Sequence, residues 1–252
     1  MSTKLIATLI MVCTASSLVL SACKKTDAPG ARTASQSADQ IQQREALQQG
    51  FAESKKVTAL RVNGESVSEF LVLREMNAIA SQYLKPGQPR TPDIDARIRR
   101  DALEIVIFQT LAVQEARRRG MQVRPDAIDA ELRKLRSDAG SDAAYQEYLG
   151  KDGLSEAELR KIVEQDALFE MIADREIDAK IIIAEADLRK RYDAERARFT
   201  DAAHRQITFA DAKGLLEQKI RAERSGKRIK EWEQELRKNA RIEVLQPRQQ
   251  RG

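Results

Sequence analysis

Apolar residues recur at helical spacing over most of the chain beyond residue 57. A capping serine, Ser68, opens a predicted helix that runs to about Leu84. The next predicted helix runs from near Asp93 to Gly120, and its apolar side chains cover nearly the whole circumference, which is typical of a central, buried helix. The same spacing predicts four more helices, over 125–140, from 155, over 185–198 and from 209.

Two short segments at the ends of this region have the pattern of strands. Residues Val57–Val62 alternate apolar and polar side chains and end in an Asn63-Gly64 turn, and Ile242–Val244 is a second extended segment. Each is the simplest partner of the other, so we expect a small two-stranded β contact that joins the N- and C-terminal elements. The predicted fold class is therefore mostly α, a multi-helix body with this contact.

The apolar stripe of the last helix changes phase. Ala212, Leu216 and Ile220 share one face, whereas the next apolar positions begin nine residues past Ile220, at Ile229. At about 100° per residue, the second stripe lies roughly half a turn from the first. Either the helix bends near Ser225-Gly226, or one straight helix buries its two ends against different partners. We favour a helix that packs back onto the N-terminal part of the body.

The first residues have the layout of an export signal. Lys4 precedes a run of apolar and small residues that ends in Leu20-Ser21-Ala22-Cys23, which resembles a lipobox. We expect residues 1–22 to be a signal peptide and Cys23 to carry the lipid that anchors the protein to a membrane. The position after the cysteine is Lys24 rather than aspartate, which favours the outer membrane and places the rest of the chain in the periplasm.

Composition divides the mature chain into three parts. Residues 23–56 are rich in small, polar and charged side chains, so we expect a flexible tether with a reach of roughly 30 Å. Residues 57–245 form the predicted helical domain, with an N-terminal part over 57–200 and a C-terminal helix and strand over 207–245. The polar tail, 246–252, is expected to be disordered.

Few residues with catalytic or metal-binding chemistry are available. The mature chain would keep only the lipidated Cys23 and a single histidine, His204, so we expect no disulfide, metal or cofactor. The chain has 44 Lys and Arg against 39 Asp and Glu, a net charge of +5. Basic and acidic residues are interspersed and aromatic residues make up only 4%, so nucleic acid is not an expected partner.

Several motifs occur in the order found in a known family. The body resembles the N-terminal chaperone domain of SurA-like periplasmic proteins, and Trp232–Val244 is similar to the family's C-terminal helix and strand. The motifs that carry the resemblance are Val62-Asn63-Gly64-Glu65, Leu103–Gly120, Val123-Arg124-Pro125-Asp126, Gly153–Arg160, Asp174–Ile177 and Tyr192–Phe199. The resemblance implies a mostly helical chaperone fold over nearly all of the chain after the tether.

One part of the family is missing. Complete members carry a parvulin-type prolyl isomerase domain after the Tyr192–Phe199 motif, but here only the seven residues Thr200–Gln206 separate Phe199 from Ile207. An independently folded domain usually needs at least about 40 residues, so no isomerase domain fits. We therefore expect no enzymatic activity and assign His204 no catalytic role.

The resemblance implies a chaperone that binds unfolded or partly folded envelope and outer-membrane proteins without catalysis. Such clients would occupy an apolar groove between helices, and methionine and aromatic side chains adapt to varied partners. The candidate groove residues are Phe70, Leu73, Met76, Tyr83, Tyr148 and Met171. Residues of these types more often form ordinary core than a binding surface.

Two other functions remain open from the sequence. The same helical surface would suit a scaffold or assembly lipoprotein with one dedicated envelope partner. An active prolyl isomerase is the third and least favoured alternative, because the domain that would carry the activity is absent.

Overall fold

The computed structural model describes residues 49–85, 88–199 and 206–245. The predicted signal peptide, Cys23, His204 and the predicted tail lie outside these ranges. Within them, no helix combines the length and the apolar character that crossing a membrane requires.

Helices dominate the described residues. The central helix packs against neighbours on several sides, as its apolar circumference predicts: it contacts the helices Glu69–Tyr83, Glu156–Glu176 and Phe209–Arg237 as well as the first strand. In chain order the elements are β1 (Thr58–Val62), β2 (Glu65–Ser68), α1 (Glu69–Tyr83), α2 (Pro92–Arg118), α3 (Pro125–Asp138), α4 (Asp142–Lys151), α5 (Glu156–Glu176), α6 (Glu185–Glu195), α7 (Phe209–Arg237) and β3 (Ile242–Val244), with single 3-10 turns at Asp178–Lys180 and Arg196–Arg198.

The sheet has three antiparallel strands in the order β2-β1-β3. Pairing of β1 with β3 confirms the predicted contact between chain ends, with Leu60 opposite Val244. The prediction of only two strands was incomplete, because β2 pairs with the other edge of β1. Only Val67 of β2 is buried, so its sequence lacks the apolar alternation of a typical strand. The turn between β1 and β2 has positive φ at Asn63 and Gly64, 52° and 85°, as a tight hairpin requires.

Helix α7 is continuous through Ser225-Gly226. Its first stripe packs in a small lobe with Leu188 and Tyr192 of α6. Its second stripe reaches the body, where the fully buried Trp232 contacts Phe108 of α2 edge-to-face, with ring centroids 5.2 Å apart. The phase change therefore reflects one unbroken helix with two different partners, and the last helix does pack back onto the N-terminal body.

The ordered body begins earlier than residue 57. Residues 49–56, which the sequence assigns to the flexible tether, are helical. Phe51 meets Phe70 edge-to-face at 6.1 Å, and Lys55 hydrogen-bonds to the Gly153 carbonyl and pairs with Glu158. Gly153 has a φ of 58°, and a Cβ there would lie 3.0 Å from the Phe51 Cβ. The glycine permits both the backbone conformation and the close approach of this helix.

Candidate binding cleft

The six predicted groove residues do not converge on one surface. Phe70 and Tyr148 belong to the cluster that α3, α4 and α5 share, whereas Leu73 and Met76 belong to the core between α1, α2 and the sheet. Phe70 and Met76 are buried. Met171 is half-buried against the Trp232 cluster, and Tyr83, at the end of α1, is 77% exposed. The structure thus distributes these side chains over three clusters and one exposed position.

A different set of residues forms a cleft between β2, α1, α2 and α5, with a cavity of about 130 Å³. Its apolar lining comes from all four elements, and none of the six predicted residues contributes. The lining residues are Val67, Leu71, Val106, Val113, Ile162 and Phe169 on the apolar side and Glu65, Ser66, Arg74, Glu75, Gln109, Thr110, Arg117, Gln165 and Asp166 on the polar side.

The inner part of the cleft carries two carboxyl groups and one guanidinium. Arg74 Nη2 lies 3.7 Å from Asp166 Oδ2 across the cleft. Glu75 is only 9% exposed, and among the described residues its carboxyl has neither a hydrogen-bond donor nor an ion-pair partner. Burial raises the pKa of Glu75, Arg74 opposes this and the charge of Asp166 adds to it.

At the mouth of the cleft, Arg117 Nη1 lies 3.6 Å from Glu65 Oε1. The Gln114 amide donates to Glu65 Oε2 at 2.8 Å and to the Val62 carbonyl at 3.0 Å, which ties the hairpin to α2. In a two-residue hairpin, the two residues that flank the turn exchange both backbone hydrogen bonds. The backbone N–H and C=O groups of the next pair of residues point away from the partner strand. Ser66 occupies that next position opposite Arg61 and lines the cleft. The cleft therefore offers a strand edge beside an apolar floor.

A signal for Glu75 does exist in the sequence. It lies at core spacing with Val72, Met76 and Ile79 on the buried face of α1, where a charged residue is unusual. It is neither a methionine nor an aromatic residue, the types expected to line the groove. Asp166 carries no comparable signal, because its position in the cleft depends on how α5 packs against α2 beside α1.

The family's isomerase domain would be inserted between Phe199 and Ile207, and these two residues contact each other directly. The Ile207 N–H donates to the Phe199 carbonyl at 2.9 Å, and the Tyr192 hydroxyl donates to the Ile207 carbonyl at 2.6 Å. Tyr192 also stacks on Phe199, with ring centroids 5.6 Å apart. The two chain segments that border residues 200–205 are thus held side by side.

Metal binding has no evident place in the described part of the chain. No group of three or more histidine, cysteine, aspartate or glutamate side chains there is arranged to hold an ion. Glu75 and Asp166 contribute only two carboxyl groups, and Arg74 already faces one of them.

Comparison with known proteins identifies the family. Chaperone SurA of Dechloromonas aromatica is 24% identical over 147 residues, which cover 57% of this chain and 32% of that protein. Chaperone SurA of Bordetella pertussis is 27% identical over 117 residues, which cover 46% of this chain and 22% of that protein. The chain thus spans about a fifth to a third of the length of these relatives. The family model described as "SurA-like N-terminal domain" matches residues 35–173, a region that begins inside the predicted tether and contains every residue of the cleft. Since the match covers more than half of the chain, this protein belongs to the SurA-like N-terminal domain family.

Proposed function

We propose that this protein is a periplasmic chaperone that holds unfolded or partly folded envelope proteins without catalysis. The observation that carries the proposal is the cleft between β2, α1, α2 and α5, which combines an apolar floor with a strand edge. It lies within the region that matches the family, and the similar curated proteins are named chaperones.

The cleft suits capture of an extended segment. Main-chain groups of Ser66 can pair with a client strand, and the side-chain amides of Gln109 and Gln165 can hydrogen-bond to peptide groups of any sequence. Apolar contacts with Val106 and Phe169 would add affinity without strict side-chain selection. Such binding competes with aggregation and needs no bound nucleotide.

Membrane attachment through Cys23 is part of the proposal. The lipobox-like Leu20-Ser21-Ala22-Cys23 supports a lipid anchor, and Lys24 supports the outer membrane. A tether would then let the body meet clients near the bilayer surface. Of the six groove candidates, Tyr83 is exposed enough to contact a client beyond the cleft without rearrangement.

Photo-crosslinking tests where clients bind. A benzophenone amino acid at Ser66, in the chain from residue 24 onward, should crosslink to an unfolded outer-membrane protein and to other unfolded proteins. The matched control is the same probe at Lys227, an exposed position on α7 far along the chain from the cleft. The same protein should suppress client aggregation at near-stoichiometric ratios. Crosslinks that are equal at both positions would refute the cleft, and one stoichiometric complex with a single envelope protein would favour a scaffold.

A further inference from the structure

Glu75 is the most unusual charged residue of the cleft. It lies on the buried face of α1, it is nine-tenths buried, and no other described residue hydrogen-bonds to its carboxyl. Burying a carboxylate without a partner is costly, so a buried carboxyl group is normally paired with a cation or kept neutral. A group of this kind that lines an open cavity is explained if a ligand supplies the missing partner.

We propose that the inner cleft binds a lysine or arginine side chain of an extended polypeptide segment, with Glu75 as the counter-charge. The inference rests on the proposed function, since it names the class of segment that the cleft prefers. It goes further by assigning the preference for a positively charged side chain to one residue, Glu75.

The charges of the cleft support a cation. At the mouth, Glu65 and Arg117 balance each other. Away from the mouth, Arg74 pairs with Asp166 and its charge also acts on Glu75, so these three groups carry one negative charge more than positive when both carboxyl groups are ionised. One incoming ammonium or guanidinium group would neutralise this excess and could hydrogen-bond to both carboxyl groups.

The shape of the cleft supports a single side chain. A cavity of about 130 Å³ cannot admit a helix, whose diameter with side chains is about 10–12 Å. The apolar side chains of Leu71, Val106 and Val113 can cover the aliphatic stem of a lysine while its ammonium group reaches Glu75. The peptide groups on either side of that lysine would then lie beside Ser66, at the edge of β2.

Two peptides test the proposal. They are short, fluorescently labelled and identical, with valine and leucine around a central residue that is lysine in one and norleucine in the other. The chain from residue 24 onward should bind the lysine peptide roughly tenfold more tightly, the factor expected from one charge-assisted hydrogen bond in a buried site. Glu75→Gln should reduce this preference to less than about twofold, and Glu164→Gln, an exposed change on α5, should leave it intact.

The outcomes separate this proposal from the proposed function. Equal binding of both peptides to the unchanged protein overturns the cation site, and so does aggregation suppression without binding of either peptide. Loss of both peptide binding and aggregation suppression refutes the chaperone function itself. Asp166→Asn, a change at a side chain that is 45% exposed, gives a second test if Glu75→Gln fails to fold, and it should weaken the lysine preference.

The chain's own N-terminal residues are the competing occupant. Residues 24–48 carry Lys24, Lys25, Arg32 and Arg44, which offer the same chemistry. Mass spectrometry of the crosslinks formed by the benzophenone probe at Ser66 distinguishes an added peptide from residues 24–48 of the same chain. Crosslinks to the lysine peptide support the proposal, and crosslinks confined to residues 24–48 in the presence of excess peptide overturn it.

Discussion

Replacing Glu176 by glutamine removes the negative charge at a point where three helices and a 3-10 turn meet. Glu176 ends α5, and its carboxylate accepts hydrogen bonds from Arg119, which follows α2, at 2.6 Å and from Arg228 of α7 at 3.2 Å. Lys180, in the following 3-10 turn, is a third donor. Arg228 also donates to the Glu176 carbonyl at 2.9 Å. This one carboxylate therefore connects the second half of α7 to the body.

The pKa of Glu176 sets the magnitude of the effect. Burial alone would raise the pKa, but hydrogen bonds and charges from Lys180 and Arg119 outweigh it and lower the pKa from 4.5 to about 2. The side chain is only 9% exposed, so solvent screens the interaction weakly. A shift of this size corresponds to about 3 kcal/mol of folding free energy. Because the folded pKa is depressed, this contribution is complete above about pH 4.5 and is lost as the pH falls toward 2.

Urea unfolding followed by circular dichroism measures this contribution. At pH 7, Glu176→Gln should lower the free energy of unfolding by about 3 kcal/mol, within the range for breaking a buried pair. Toward pH 2 the difference from the unchanged protein should shrink, because the native carboxyl is then protonated as well. Glu217→Gln, which removes an exposed pair with Arg221, is the control and should cost less than about 1 kcal/mol. Equal stability of Glu176→Gln and the unchanged protein at pH 7 would refute the reasoning.

Three further predictions follow from the packing, the lipobox and the closed insertion site. Trp232→Ala should destabilise the protein by about 3–5 kcal/mol in the same urea assay, because it empties a buried aromatic position. A free energy of unfolding within about 1 kcal/mol of that of the unchanged protein would show that α7 does not hold the body together. Cys23→Ser should move the protein from the membrane fraction to the soluble periplasmic fraction of lysed cells without changing its circular dichroism, and continued membrane association would exclude the lipid anchor. The purified protein should not accelerate cis–trans exchange in a proline peptide assay, whereas a measurable catalysed rate would contradict the absence of an isomerase domain.

The sequence was most informative where one local signal dominated. The central helix α2, the start of a helix at residue 155 and the pairing of β1 with β3 were all confirmed. The missed strand β2 and the helix over 49–56 have a common cause. Both are short and polar, and both form because a neighbouring element supplies their contacts: β1 for β2, and Phe70 and Gly153 for the helix. A sequence pattern does not contain those contacts.

The candidate site was harder to predict for a related reason. Methionine and aromatic residues were natural choices for a variable binding surface, but Phe70 and Met76 serve as core. The cleft is defined by how α5 packs against α2 beside α1, and this packing brings Asp166 opposite Arg74 from a distant part of the chain. Only Glu75, a carboxyl at core spacing, marks the cleft within a single element.

The position of the cleft bears on whether the proposed binding needs an isomerase domain. The cleft is built from β2, α1, α2 and α5, whereas Phe199 and Ile207 belong to the lobe formed by α6 and the first half of α7. Only the second half of α7 reaches the body, through Trp232 and the Glu176 contacts, and neither residue lines the cleft. An inserted domain could therefore be lost from the lobe without altering the cleft, provided that Phe199 and Ile207 still meet. The hydrogen bond between these two residues satisfies that condition, so the proposed binding of extended segments would not require a domain inserted between them.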